Sequence, residues 1–247
     1  MDLVNKILGE FEIHSVEGIK RCFAQGLDPN LIYKGKPLFY ELVNMYWRSR
    51  EFKHCVRTFV DQGMIFNDPG LLAVLLDDDS TLEALIKNDR TILAKQYTLD
   101  CTFTPLYQAS LLHICAEYNH VQCARVLVNH GLDVNTPAGV DDNGFGGQTS
   151  IFHTVNQHDN HCLDMLKFLL DQHAEVLLMV KGLIWGKNYP WETFIPAVNP
   201  LSYAMMGLLR QVQRNELQIY EVVRLLMQSA YGLDYWPRNI PNKYLSM

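Results

Sequence analysis

Apolar residues recur along the chain at helical spacing, in short paired runs. The clearest pair spans residues 110–135. Leu112, Cys115 and Ala116 fall on one face of a first helix, and Val121, Ala124, Leu127 and Val128 form the stripe of a second. Ser110 suits the N-cap, since its hydroxyl can take a backbone N–H of the first turn. Asn119-His120 makes the turn between the helices, and Gly131 stands where a helix stops in a left-handed cap. Two helices this short cannot bury their apolar faces alone, so further copies must stack on either side.

Other copies can be traced near 5–30, 36–66, 68–93, 149–176 and 199–235. In the first, Val16, Ile19 and Phe23 share a face, followed by Gly26-Leu27-Asp28-Pro29-Asn30. In the second, Pro37 suits a first helical position, where its missing N–H costs nothing, and Phe52, Val56, Phe59 and Val60 lead to Gly63. The third opens at Asp68-Pro69. Its Asp77, Asp78 and Asp79 lack the glycine and closing glutamate of a calcium loop, and Ser80-Thr81-Leu82-Glu83 reads as a capping box. Residues 90–109 are extra, with Ile92 to Gln96 extending a helix. The fifth copy opens on Thr149 as N-cap, carries Leu163, Leu166, Leu169 and Leu170, and places His173 where the others have glycine. The sixth restarts at Asn199-Pro200 and pairs Ile219, Val222, Val223 and Leu226, leaving 233–247 as an irregular tail that caps the end. Copies in such a stack touch only their neighbours.

Residues 110–135 resemble the ankyrin repeat. The family's Thr-Pro-Leu-His-x-Ala-Ala signature falls on Ser110, Leu111, Leu112, His113, Ile114, Cys115 and Ala116. Its Gly-His turn falls on Asn119 and His120, its paired leucines on Leu127 and Val128, and its Gly-x-Asp-x-Asn ending on Gly131, Asp133 and Asn135, without a gap. The Thr-Pro pair itself is missing. The resemblance implies an all-α, ankyrin-type solenoid with capping ends, one domain over 1–247, whose loops and first helices line a concave binding face. It also implies a structural hydrogen-bonding role for His113.

Composition narrows the function. The chain has 247 residues, is 48% hydrophobic and carries a net charge of −6 with 19% charged residues, enough for a sizeable core and without the clustered Lys and Arg of a nucleic-acid surface. The start, MDLVNKILGEFEIHS, lacks the basic and apolar regions of a signal peptide. No apolar run reaches membrane-spanning length. The six cysteines form no Cys-x-x-Cys pair, which fits a reducing, cytoplasmic setting.

Candidate chemistry is sparse. His153, His158 and His161 with Cys162 are the densest group of potential ligands, but their spacings are not those of a zinc site. No serine sits on a strained Gly-x-Ser-x-Gly turn, and Cys162 beside His161 is not a dyad, because neighbours in a helix point apart. Gly182 to Asn188 has the wrong spacing for a phosphate loop. No metal or cofactor is expected. What remains is two long loops: 137–147, with Phe145, and the insertion at 178–198, with Trp185, Tyr189, Trp191 and Phe194. Loops of that length inside an array are often functional, and Trp and Tyr are enriched in cores and at interface hot spots alike. The expectation is a non-catalytic scaffold that binds another protein through these five aromatics, without nucleic acid or membrane. The alternative is an enzyme with a pocket under the long loop, using His153, His158 or His161 as base or metal ligand.

Overall fold

The computed structural model describes residues 2–206 and 213–237. Its helices come in pairs: α1 (Leu3–Glu12) with α2 (Val16–Ala24), α3 (Phe39–Val43) with α4 (Phe52–Asp61), α5 (Pro69–Leu76) with α6 (Asp79–Asn88), and α7 (Leu111–Tyr118) with α8 (Val121–Asn129). Further on, a 3₁₀ turn at Ser150–His153 precedes α9 (Leu163–Asp171), and α10 (Pro200–Ala204) precedes α11 (Glu216–Tyr231). Packing runs from pair to pair: α2 on α4, α4 on α5, α5 on α7, α6 on α8, α8 on α9 and α9 on α11. All eight residues of α7 are buried, as a helix with neighbours on every side must be. The amphipathic α4 buries Phe52, Cys55, Val56 and Phe59 and leaves its other face to water. Residues 207–212 of the sixth copy, and residues 238–247 of the expected C-terminal cap, lie outside the described residues.

Backbone chemistry joins successive copies. Gly26, Gly63 and Gly131 have φ of +95°, +86° and +98°, and His173 takes the same region at +62°. In the Gly-x-Asp-x-Asn endings, Asp28 and Asp133 accept the backbone N–H of Asn30 and Asn135 at 2.8 and 2.9 Å. Each asparagine then reaches into the following copy. Asn30 donates to the Gly63 carbonyl (3.1 Å) and accepts from Ile65 N–H (2.7 Å). Asn135 does the same with His173 (3.4 Å) and Glu175 (2.8 Å). The two motifs are thus chemically equivalent, although most of the sequence between them differs.

The all-α expectation needs correction in the connections. Among the described residues there are three two-stranded antiparallel hairpins: β1 (Ile32–Tyr33) with β2 (Lys36–Pro37), β3 (Tyr97–Leu99) with β4 (Leu106–Ala109), and β5 (Val180–Trp185) with β6 (Thr193–Val198). Pro37 accordingly lies in a strand and not at a helix start. The 90–109 stretch becomes a 3₁₀ turn, Arg90–Ala94, followed by the second hairpin. The aspartate run is split between two caps. Asp77 ends α5 in the left-handed region, and Asp78 caps α6 by accepting from Thr81 N–H at 3.0 Å, so the cap sits two residues before the one that Ser80 would have made.

Contacts also extend beyond neighbouring copies. The loop joining α3 to α4 carries Trp47 to within 4.3 Å of His158, ring centre to ring centre, which places the second copy against the fifth.

Candidate binding cleft

A cleft of about 610 Å³ opens between the hairpins and the α3–α4 loop. Glu41, Asn44, Met45 and Tyr46 form one wall. Leu99 to Thr102 and Pro105 to Tyr107 of the second hairpin form the next, with Gly139, Asp141 and Phe145 beyond them and Ile184 and Lys187 to Tyr189 of the third hairpin closing the far side. Lys36 Nζ and Asn44 Nδ2 both donate to Asp100 Oδ2, at 2.8 and 3.3 Å, tying the first hairpin and the α3 end to the second hairpin. Asp141 accepts the backbone N–H groups of Asn143 and Phe145, both at 2.9 Å, which folds the glycine-rich loop back on itself.

The five aromatics singled out in the sequence divide in two. Trp185 is only 6% exposed; its indole N–H donates to the Tyr203 hydroxyl at 2.6 Å, and its ring meets Phe103 edge-on at 5.4 Å. It belongs to the packing between the third hairpin and α10. Tyr189, Trp191 and Phe194 are 55%, 44% and 47% exposed. Tyr189 lines the cleft and stacks on Trp191 at 5.5 Å, while Trp191 lies over Gly186, where a Cβ would meet its ring at 2.4 Å. Phe194 backs onto Phe145 (4.7 Å), and the Lys181 ammonium sits 5.1 Å over the Phe145 ring. Sequence reasoning missed Tyr46 and Tyr107, 55% and 38% exposed on the cleft walls. Their signal was the extra length of the segments carrying them.

The three histidines of the enzymatic alternative do not line this cleft. His153 is fully buried and donates through Nδ1 to Glu117 Oε2 at 2.8 Å. His158 packs against Trp47 with the rings tilted, and burial pushes His161 below the usual histidine range. Among the described residues no three His, Cys, Asp or Glu side chains are grouped to hold a metal ion. His113 has the structural role expected of it. The Gln148 carbonyl, 3.0 Å from Nε2, can only accept, so Nδ1 accepts the Ser110 N–H (3.2 Å) and faces the Ser110 hydroxyl (2.8 Å), closing a capping box. Burial, reinforced by His153, pushes His113 down to about 3.

Behind the cleft lies a buried ion pair. Arg48 Nε donates to Glu117 Oε1 at 2.8 Å, with the two side chains 2% and 5% exposed. Its guanidinium lies 4.7 Å over the Tyr118 ring and also reaches the Met45 carbonyl. Burial opposes the Glu117 charge, yet Arg48 and the His153 hydrogen bond together hold its carboxyl below the usual range.

Paired helices closed by left-handed caps, with hairpins between pairs, define a helical repeat protein. Residues 71–179 match the family model described as ankyrin repeats (3 copies). Such repeats generally mediate protein–protein interaction, and the family is typically non-enzymatic. Among solved structures the chain is similar to the ankyrin repeat domain of human ASB11, at 14% identity and a TM-score of 0.41, covering 96% of this chain and 94% of that one. No curated protein matches the sequence. Among the described residues no helix is long and apolar enough to cross a membrane.

Proposed function

We propose that the chain is a non-catalytic scaffold, a single curved solenoid of six copies near the boundaries given above, with atypical capping copies at its ends. Its partner is another protein, seated on the hairpin side. Tyr189, Trp191 and Phe194 make the contact, Phe145 supports Phe194, and Trp185 anchors the hairpin from within. The observation that carries this reading is the exposed aromatic surface of the third hairpin at the rim of the cleft. Aromatic rings held by neighbours lose little conformational freedom on binding, and they dominate interface energetics. The six free cysteines support a reducing, cytoplasmic setting.

The test is capture of partners from the native source by the parent and by Tyr189→Ala/Trp191→Ala. Loss of an interface anchor typically weakens binding by at least ~2 kcal/mol, about thirtyfold in Kd. The captured protein should be lost while the variant keeps its fold by circular dichroism. Retention of the same protein by the folded double variant would remove the third hairpin from the interface.

A further inference from the structure

Residues 44–51 do more than connect α3 to α4. They run as a strap across the ends of several copies. Ser49 Oγ lies 2.8 Å from His14 Nδ1, just past α1. Arg48 is paired with Glu117 and stacked on Tyr118 at the end of α7, and Trp47 packs on His158. An arginine on a carboxylate beside an aromatic ring in a pocket is the contact set that interfaces concentrate at their centres. Here both sides belong to one chain.

The receiving surface is built for a guanidinium. Glu117 Oε2 is taken by His153 (2.8 Å) and Gln157 (3.3 Å), and Oε1 faces Arg48. Cys101 adds its thiol, 3.7 Å from the guanidinium and 3.6 Å from Glu117 Oε1. Desolvating a carboxylate and a guanidinium offsets much of their attraction, so a buried pair sets register more than it adds stability. A strap held in this way can be exchanged for another arginine-bearing segment at small net cost, because the competitor recovers the same pair.

We propose that the strap is an internal ligand, and that the surface formed by Glu117, Tyr118 and His158 is a second binding site whose external occupant is a polypeptide segment presenting an arginine next to an aromatic residue. This goes beyond the hairpin reading, since it concerns a surface that the strap covers and does not depend on Tyr189 or Trp191.

The probe is a peptide with the sequence of residues 44–51, blocked at both ends, added to the full chain carrying Trp47→Gly and Arg48→Gly. The reporter is iodoacetamide labelling of Cys101, located by peptide mapping, with fully buried Cys115 as control. Opening of the strap alone should speed Cys101 labelling at least about tenfold over the parent and leave Cys115 unchanged. The peptide at millimolar concentration should slow that labelling by about threefold or more, as a weak site loaded at about twice its Kd requires. The same peptide with methionine in place of its first arginine should not, and neither peptide should affect the parent. Equal protection by the methionine peptide, or protection by neither, overturns the proposal. Should Cys115 labelling rise together with that of Cys101, the decision passes to Arg48→Met/Glu117→Gln, which leaves no orphaned buried charge. That variant must melt like the parent yet label faster at Cys101; unchanged labelling means that packing, not the ion pair, holds the strap, and the proposal falls.

Discussion

Mild acid should destabilise this protein through its buried histidines. Burial pushes His14 down to about 4, with Arg48 adding to the effect, and pushes His113 down to about 3. It also holds His120 at about 4, outweighing the nearby Asp77 carboxylate. All three are therefore neutral in the folded protein at neutral pH, whereas in the unfolded chain each takes up its proton near ~6.5. Between about pH 6.5 and pH 4 the unfolded chain binds more protons, so stability rises with pH. The contribution is complete above the unfolded value and is lost progressively as pH falls toward the folded values. At about pH 5 the pH lies ~1.5 units below the unfolded value of each ring while the folded rings are still largely neutral, which at ~1.4 kcal/mol per unit costs about 2 kcal/mol each. Three rings come to about 4–6 kcal/mol, comparable with the whole stability of a typical domain, ~5–15 kcal/mol. Glu117 stands below the usual carboxylate range, because Arg48 and the His153 hydrogen bond outweigh the cost of its burial. Urea melts at about pH 7.5 and about pH 5, at fixed ionic strength, should differ by at least that amount, with a mid-window slope of at least about three protons, since burial lowers His161 in the same direction. His120→Gln should remove about one proton from the slope. A stability that is flat across the window, or that rises on acidification, would mean that these rings are hydrated or charged in the fold, and the reasoning from burial fails.

Two further outcomes can be read from melts. Trp185→Ala deletes a buried indole and should cost about 3–5 kcal/mol, whereas the half-exposed Trp191→Ala should cost only about 1–2 kcal/mol; equal losses would make the third hairpin uniform core. His173→Gly should stabilise by about 0.5–1 kcal/mol, because an exposed histidine there pays for a left-handed backbone that glycine adopts freely; a clear loss in denaturant melts would show that the imidazole makes a compensating bond.

Local chemistry was legible in the sequence wherever it depends on residues a few positions apart. Gly26, Gly63 and Gly131 announced left-handed caps, which close within a few residues, and the repeated Gly-x-Asp-x-Asn ending marked where Asp28 and Asp133 turn the chain. The second hairpin was not legible, because Tyr97–Leu99 and Leu106–Ala109 are too short to show an alternation. The aspartate run was displaced for a related reason. Asp78 and Ser80 are both good caps two residues apart, and only the left-handed turn at Asp77 decides between them. In the candidate site, composition singled out the aromatic hairpin. Which of its rings face water depends on Phe103, in the extra stretch before the fourth copy, and Tyr203, in the sixth, which no spacing rule connects to it. The Arg48–Glu117 pair was beyond reach for the same reason, being 69 positions apart.

That separation bears on how such a chain can be built and varied. A plain array lengthens or shortens by whole copies, since each unit needs only the unit before it, and it can begin to fold anywhere. Here the second copy is fastened to the fourth through Arg48 and to the fifth through Trp47. The strap is one short loop, so its reach is fixed. A duplication or deletion between residues 52 and 116 would leave Arg48 opposite the wrong helix, with Glu117 buried and unmatched. The strap thus acts as a ruler on copy number. It also commits the chain to closing a long loop before its centre is complete, which makes folding slower and more concerted than a row of local contacts would be.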